Sequence, residues 1–172
     1  MSVRRHAALL VGLAGAAVAI ASSASGGPIG LANCSGRQLR LSGHLTTVRK
    51  SLGGTLTIKN RTGRACALPA APRRVSILIG RQLLPTLTVR LRGTQVPPGV
   101  PTRTLPTRGR VALGVRWRNW CGAPRGPVRA VLVVTVFSSA TPRLPLGTVT
   151  TPPCADAKLS SRIAVSRFLA RS

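Results

Sequence analysis

The sequence predicts an all-β protein, an antiparallel β-sandwich of about seven to eight short strands cross-linked by two disulfide bonds. Three observations lead to this prediction. Apolar and polar residues alternate with a period of two in several stretches, as expected of half-buried strands. The 14 prolines and 18 glycines among 172 residues favour many turns over long helices. The chain also contains four cysteines, an even number that fits two disulfides.

Residues 1–25 have the features of a secretory signal peptide. Arg4 and Arg5 form a charged start, an apolar run of 15 residues follows from Ala7 to Ala21, and Ala19-Ile20-Ala21 offers a cleavage site. An uncleaved N-terminal anchor is the less favoured alternative, because the run is shorter than the roughly 20 residues that span a bilayer. We therefore expect a secreted or extracellular protein, or one loosely associated with the cell envelope. Residues 26–32 would form a short linker and residues 33–170 a single β-sandwich domain.

Cys34, Cys66, Cys121 and Cys154 are the four cysteines, and export would favour their oxidation to disulfides. Of the three possible connectivities we favour the sequential one, Cys34–Cys66 and Cys121–Cys154. Each bond would then close a loop of about 33 residues, which contributes roughly 3–4 kcal/mol to stability in the chain-entropy model. A metal site is the weaker alternative, because the cysteines do not form close pairs such as C-x-x-C.

The N-terminal half of the domain contains four alternating stretches. Apolar residues should point inward and their polar neighbours outward. Arg90 and Arg92 take outward positions in the fourth stretch. Asn60-Arg61-Thr62-Gly63 should form a turn after the second. The strands are expected around Leu39 and Leu41, Leu56 and Ile58, Val75 to Ile79, and Leu87 to Leu91.

The C-terminal half contains the clearest strand. Val111, Leu113, Val115 and Trp117 alternate with polar or small residues, so Trp117 should lie in the core. Residues 130–137 are apolar on both faces, as expected of a central strand. Residues 161–168 should form the last strand, because the apolar residues of the tail make no stripe on a helical wheel.

Two further segments each allow two interpretations. The proline-rich segment Thr94–Arg108 is expected to cross between the two sheets, with a binding loop as the alternative. The segment Arg116 to Cys121 interleaves arginines with tryptophans, which can bind nucleic acid or sugars. We favour a structural role for both tryptophans, with Trp120 shielding the neighbouring disulfide. Arg116 and Arg118 would then face outward.

The charge of the chain is strongly positive. It has 26 Lys and Arg residues against one acid, a net charge of +25, and 23 of the 26 are arginines. Arginine binds phosphate and carboxylate groups through a bidentate fork, which favours an anionic partner. A compositional bias of the genome is the alternative. The candidate anion-binding residues are Arg90, Arg92, Arg116 and Arg118.

Catalysis is poorly supported by the composition. Asp156 is the one acid, and His6 and His44 are the two histidines, of which His6 lies in the expected signal peptide. A carboxylate pair, a catalytic triad or a conventional metal cage cannot be assembled from these residues. We therefore expect no enzyme activity, no catalytic residues, no metal and no cofactor. His44 should be an exposed turn residue, and Asp156 should cap a turn or pair with an arginine.

The order of cysteines, glycines and tryptophans resembles a known family over roughly residues 33–168. The matching features are Cys34 and Leu39, a strand ending at Asn60, Gly63, Cys66-Ala67-Leu68, Gly109, the run Trp117 to Cys121, and Cys154 before a short last strand. This order is similar to exported and lipoprotein domains of unknown function found widely in actinobacteria. The resemblance implies an immunoglobulin-like β-sandwich outside the cytoplasm, with no established catalytic residues. The chain departs from many such domains in lacking a credible lipobox at Cys34 and in its basicity.

These observations predict a secreted, non-catalytic module that binds anionic envelope components, wall polymer or lipid head groups, through an Arg-rich surface. The alternative is a structural or protein-interaction domain of the envelope with no specific anionic ligand. A specific nucleic-acid partner is not expected, because the chain is exported. Arginines gathered on one contiguous face would favour the first hypothesis, and an even distribution would favour the second.

Overall fold

The computed structural model describes residues 30–91, 103–122 and 126–170, so the expected signal peptide lies outside the described residues. All regular structure in these ranges is β-strand, which confirms the all-β prediction, although the strands are more numerous than expected. In these ranges the strands are β1 (Leu39–Ser42), β2 (Thr46–Val48), β3 (Ser51–Asn60), β4 (Cys66–Leu68), β5 (Arg74–Ile79), β6 (Gln82–Leu83), β7 (Thr86–Arg90), β8 (Arg103–Leu105), β9 (Arg110–Arg118), β10 (Pro127–Thr135), β11 (Arg143–Thr150), β12 (Ser161–Val165) and β13 (Leu169–Ala170).

Seven of these strands form what we call the front sheet. Its central strand β9 pairs with β3 on one side and with both β12 and β13 on the other. β3 pairs in turn with β1 and β2, which are one strand interrupted at residues 43–45. Gly54 is needed opposite this interruption, because a Cβ atom there would lie 2.5 Å from the carbonyl oxygen of His44. β7 forms the far edge and runs parallel to β12, so the sheet is mixed rather than wholly antiparallel as expected.

Four strands form the antiparallel back sheet, in the order β11, β10, β5, β6. β10 is central, as predicted for residues 130–137, but only its inner face is fully buried. Leu132 is buried, whereas Val131 and Val133 on the outer face are half-exposed. β4 and β8 form a separate small ladder. β8 falls inside the proline-rich connection, whose residues 94–102 lie outside the described ranges. The strands before and after this connection, β7 and β9, both belong to the front sheet, so the expected crossing between the two sheets is wrong.

The inner faces of the two main sheets share one cluster of buried side chains, as expected of a sandwich. Trp117 is fully buried in it, which confirms the core position predicted from its alternation with Val115. Its indole Nε1 donates a hydrogen bond to Ser161 Oγ at 2.8 Å, so the one polar atom of this ring is satisfied. The immunoglobulin-like character of the sandwich stays a prediction.

The predicted disulfides Cys34–Cys66 and Cys121–Cys154 are both confirmed. Cys34 and Cys66 are buried, whereas Cys121 and Cys154 are exposed. Trp120 is buried, but it does not shield the second bond as expected. Its ring centroid lies 6.2 Å from that of Trp117, so it extends the core instead.

The predicted turn after β3 is organised by Asn60, which is fully buried at the end of that strand. Its Oδ1 accepts a hydrogen bond from Thr62 N at 3.0 Å, and its Nδ2 donates to the carbonyl oxygens of Arg64 and Pro106 at 2.8 and 3.1 Å. This Asx turn confirms the prediction for residues 60–63. It also fixes the end of β3 against the start of β9.

Candidate anion-binding face

The outer face of the front sheet carries a row of three cations at one end. Arg40 on β1 lies opposite Lys59 on β3, and Lys59 lies opposite Arg110 on β9. Directly paired residues share one face of a sheet, so the three side chains project together. Ile58 precedes Lys59 and Val111 follows Arg110, and both are buried in the core. Because successive side chains of a strand point to opposite faces, Lys59 and Arg110 point outward.

These cations surround the first pocket, a concavity of about 350 Å³. Its lining consists of Arg40, Ser42, Thr57, Lys59 and Arg110. Three of the five side chains are cationic and the other two carry hydroxyl groups. The first pocket therefore suits a hydrated anionic group rather than an apolar one.

A second cationic group lies at the other end of the same face. Arg118 on β9 lies directly opposite Arg162 on β12. Arg116 projects from the same face between Gly53 and Ala164, two small residues that leave room for its side chain. Its Nε donates a hydrogen bond to Ser51 Oγ at 3.1 Å, which holds the arginine along the sheet.

Arg118 and Arg162 border the second pocket, which has a volume of about 340 Å³. Lys50 adds a third cation from the turn between β2 and β3. The far wall is formed by the connection between β11 and β12, which includes Leu159, 48% exposed. The full lining is Lys50, Arg118, Asn119, Ala155, Leu159, Ser160 and Arg162.

Asn119 attaches that far wall to β9. Its Nδ2 donates to the carbonyl oxygens of Asp156 and Leu159 at 3.0 and 2.8 Å. Its Oδ1 accepts from the backbone amides of Ala155 and Asp156 at 2.9 and 3.0 Å. Its φ of 56° is a left-handed conformation that asparagine tolerates better than most residues. Sequence reasoning assigned no role to Asn119, although an Asn directly after a predicted strand is a recognisable signal for such a turn.

Asp156 carries the one side-chain carboxylate of the sequence, and this group takes part in a turn. Asp156 Oδ1 accepts a hydrogen bond from Lys158 N at 2.9 Å, which confirms the first of the two roles expected for it. The opposed cations of the face are therefore not arranged around a carboxylate. Like charges directly opposite in a sheet are destabilising, and a bound anion would offset this repulsion.

The four arginines proposed from the sequence do not all share this face. Arg116 and Arg118 do, whereas Arg92 lies outside the described residues. Arg90 pairs with Val165, a buried residue, so it lies on the inner side of the front sheet at its edge. Its Nη2 donates to the carbonyl oxygen of Pro72 at 3.2 Å, and partial burial lowers the pKa of its guanidinium. Whether Arg90 binds an anion stays a prediction, but it cannot act together with Arg116.

The alternation of β7 is therefore the reverse of the predicted one. Leu87, expected in the core, is 50% exposed and lies beside Arg162. Thr88 points the other way, and its hydroxyl exchanges hydrogen bonds of 3.0 Å with the backbone of Val75 on β5. β7 thus connects the two sheets, and this contact rather than the apolar pattern sets its orientation.

The remaining candidates for chemistry are dispersed. His44 is exposed between β1 and β2, as predicted. Within the described ranges, no three His, Cys, Asp or Glu residues lie close enough to hold a metal ion. The same part of the chain contains no helix long and apolar enough to cross a membrane.

Comparison of the chain with protein-family models, with curated proteins and with solved structures returned no match.

Proposed function

We propose that this protein is a secreted, non-catalytic module of the cell envelope that binds anionic envelope components, wall polymer or lipid head groups. The binding surface is the outer face of the front sheet. One observation carries the proposal: of the six strand cations that the described residues place on this face, five lie directly opposite another cation. They are Arg40, Lys59 and Arg110 in one row and Arg118 and Arg162 in the other, with Arg116 beside the second row.

The chemistry of these side chains supports an anionic ligand. Arginine stays ionised and offers paired N–H donors to phosphate or carboxylate oxygens, which lysine cannot do in the same geometry. Both pockets fall at the lower end of the range of about 300–1,000 Å³ that is typical of ligand sites. The repulsion within each row is present before binding and is relieved by the ligand, so the free face is arranged for an anion.

The disulfides support a location outside the cytoplasm. Such bonds form and persist in oxidising compartments and are rare where thiols are kept reduced. The two disulfides and the N-terminal segment expected to be a signal peptide both fit export. The anionic partners within reach would then be those of the envelope.

A protein-interaction role is the second candidate, and one observation favours it. Leu83, Leu78, Val131 and Pro145 are paired in register across all four strands of the back sheet, on its outer face. Leu83 is 48% exposed and Pro145 is exposed. This apolar row would suit a protein partner, with the arginines serving solubility.

Co-sedimentation separates the two roles. The purified protein is mixed with cell walls that carry anionic polymer, with the same walls after removal of that polymer, and with anionic and neutral lipid vesicles. We expect retention on the anionic carriers at low salt, decreasing as the salt concentration rises. Absence of retention on every anionic carrier at low salt would contradict the proposal. Equal retention on the stripped walls would favour the protein-interaction role.

A further inference from the structure

We infer that the ligand of this face is a linear polyanion that lies along β9 and occupies both pockets at once. This inference rests on the proposed function and names its ligand class. It follows from three features of the face: the distance between the pockets, the residues between them, and the similarity of the pockets to each other.

The two pockets are separated along a single strand. Arg110 borders the first pocket and Arg118 the second, and both project from the same face of β9. Their separation of eight positions along the strand corresponds to about 26 Å at the usual rise of a strand. A single phosphate or one lipid head group is too small to contact both arginines.

The surface between the pockets is uncharged. On one side of β9, Thr57 lies opposite Ala112 and Thr55 lies opposite Gly114, in two successive pairs between the cationic groups. On the other side, Leu169 of β13 lies opposite Ala112 and is 41% exposed. Because this stretch carries no acidic side chain, an anionic chain can pass over it from one cationic group to the other without repulsion.

The two pockets are matched in size and charge. Their volumes are about 350 and 340 Å³. Each is bordered by three cations: Arg40, Lys59 and Arg110 in the first, and Lys50, Arg118 and Arg162 in the second. The walls differ, since the second pocket also contains Ala155 and Leu159. Two subsites on one face with three cations each suit a ligand with a repeating anionic group.

Occupation of both pockets by one chain has a measurable consequence. The second contact becomes intramolecular, so a long polyanion should bind more tightly than a short one with the same charged group. A short anion should bind the two pockets independently. The preference for length therefore reports whether the two pockets act together.

The test is isothermal titration of the mature protein with tripolyphosphate and with long-chain inorganic polyphosphate. For wild type we expect two tripolyphosphate ions per protein and at least about tenfold tighter binding of the long chain. Lys59→Gln/Arg110→Gln should remove the first site, and Arg118→Gln/Arg162→Gln the second. Each variant should bind one tripolyphosphate and lose most of its preference for length.

The matched control is Arg74→Gln/Arg129→Gln on the outer face of the back sheet. It removes the same charge and should keep both sites and the preference for length. Circular dichroism and thermal unfolding of each variant verify that the exposed substitutions leave the fold intact.

Equal affinity of wild type for long and short polyphosphate would overturn this inference and leave the proposed function standing. Equal losses of affinity for long-chain polyphosphate in the control and the pocket variants would also overturn it, because they would indicate a general effect of charge. Anionic vesicles that displace long-chain polyphosphate more effectively than wall polymer does would assign the face to a membrane surface instead. The proposed function itself fails only if no anionic carrier retains the protein.

Discussion

The outer faces of the two sheets both carry arginines, but they arrange them differently. On the front sheet, cations are placed opposite cations in two rows. On the back sheet each arginine lies opposite an uncharged residue. These back-sheet pairs are Arg74 with Thr135, Arg129 with Thr148, and Arg143 with Val133.

This difference separates composition from function. A chain with 23 arginines will place some of them on every exposed surface, so their presence on both sheets needs no special explanation. The placement of like charges directly opposite one another does need an explanation, because it lowers stability and does not occur among the strand arginines of the back sheet. The arrangement of the front face, rather than the number of its cations, therefore indicates a binding site.

The greatest loss of stability should follow removal of either disulfide, and the two disulfides support different parts of the molecule. Replacing both cysteines of a pair by alanine should cost roughly 3–4 kcal/mol in either case, because the closed loops are almost equal in length. Loss of Cys34–Cys66 should cost more in total, since these residues are buried and their removal also leaves a cavity. Urea unfolding of the two double variants measures the difference.

The same two variants should differ in binding. Cys121→Ala/Cys154→Ala should weaken the second pocket, which adjoins that bond, and leave the first pocket intact. The relevant measurement is the number of tripolyphosphate ions bound per folded protein. A greater loss of stability from the exposed pair than from the buried pair would contradict this account.

A smaller loss of stability is expected on substitution of Asn119, which positions the wall of the second pocket but not that of the first. Asn119→Ala removes four hydrogen bonds to residues 155–159 and should destabilise the protein by about 1–3 kcal/mol. Amide hydrogen exchange should become faster at residues 155–159 and stay unchanged in β1 and β3. Asn119→Gly is the control for backbone strain, because glycine adopts the left-handed conformation freely. If glycine restores slow exchange, the side-chain hydrogen bonds are not the cause.

The salt dependence of binding should also distinguish the two faces. Removing one cation that pairs with a phosphate should reduce the slope of log affinity against log salt by about 0.7–0.9. Arg118→Gln/Arg162→Gln should therefore lower the slope for long-chain polyphosphate, whereas Arg74→Gln/Arg129→Gln should not. Identical slopes for the two variants would contradict a difference in anion binding between the two faces.

The smallest effect is an increase in stability on the front face. Lys59 lies between Arg40 and Arg110, so Lys59→Gln should stabilise the free protein by about 0.2–1 kcal/mol per repulsive pair relieved. The increase should disappear at high salt, where the repulsion is screened. Arg129→Gln, opposite a threonine, should give no such increase. Urea unfolding at low and high ionic strength measures the stability of both variants. A loss of stability in Lys59→Gln would show that the three cations of the row do not repel one another appreciably.

The sequence was informative where the core determines orientation. The position of Trp117 followed from its alternation with Val115, and this also placed Arg116 and Arg118 on the outer face. Cysteine spacing led to the correct pairing. The orientations of Trp117 and the two arginines depend on local periodicity, which a single strand in contact with the core must obey.

The rows themselves could not be predicted. Arg40, Lys59 and Arg110 come together only through the register between strands that are distant in sequence, and no local pattern encodes that register. Strand β11 was not predicted because Pro145 and Gly147 interrupt its alternation. Arg90 was misplaced because β7 is an edge strand whose orientation depends on the contact between Thr88 and Val75 rather than on burial of its apolar residues.

Binding of the anionic ligand should depend on the front face and not on the overall charge of the chain. The most direct test compares the affinities of two charge-matched triple variants for purified anionic wall polymer at one physiological salt concentration. Arg110→Gln/Arg118→Gln/Arg162→Gln removes three charges from the front face, and Arg74→Gln/Arg81→Gln/Arg129→Gln removes three from the back sheet and its β5–β6 turn. We predict that the front variant binds at least about tenfold more weakly than wild type and that the back variant stays within about twofold of it. Equal losses of affinity in the two variants would contradict this dependence on the front face.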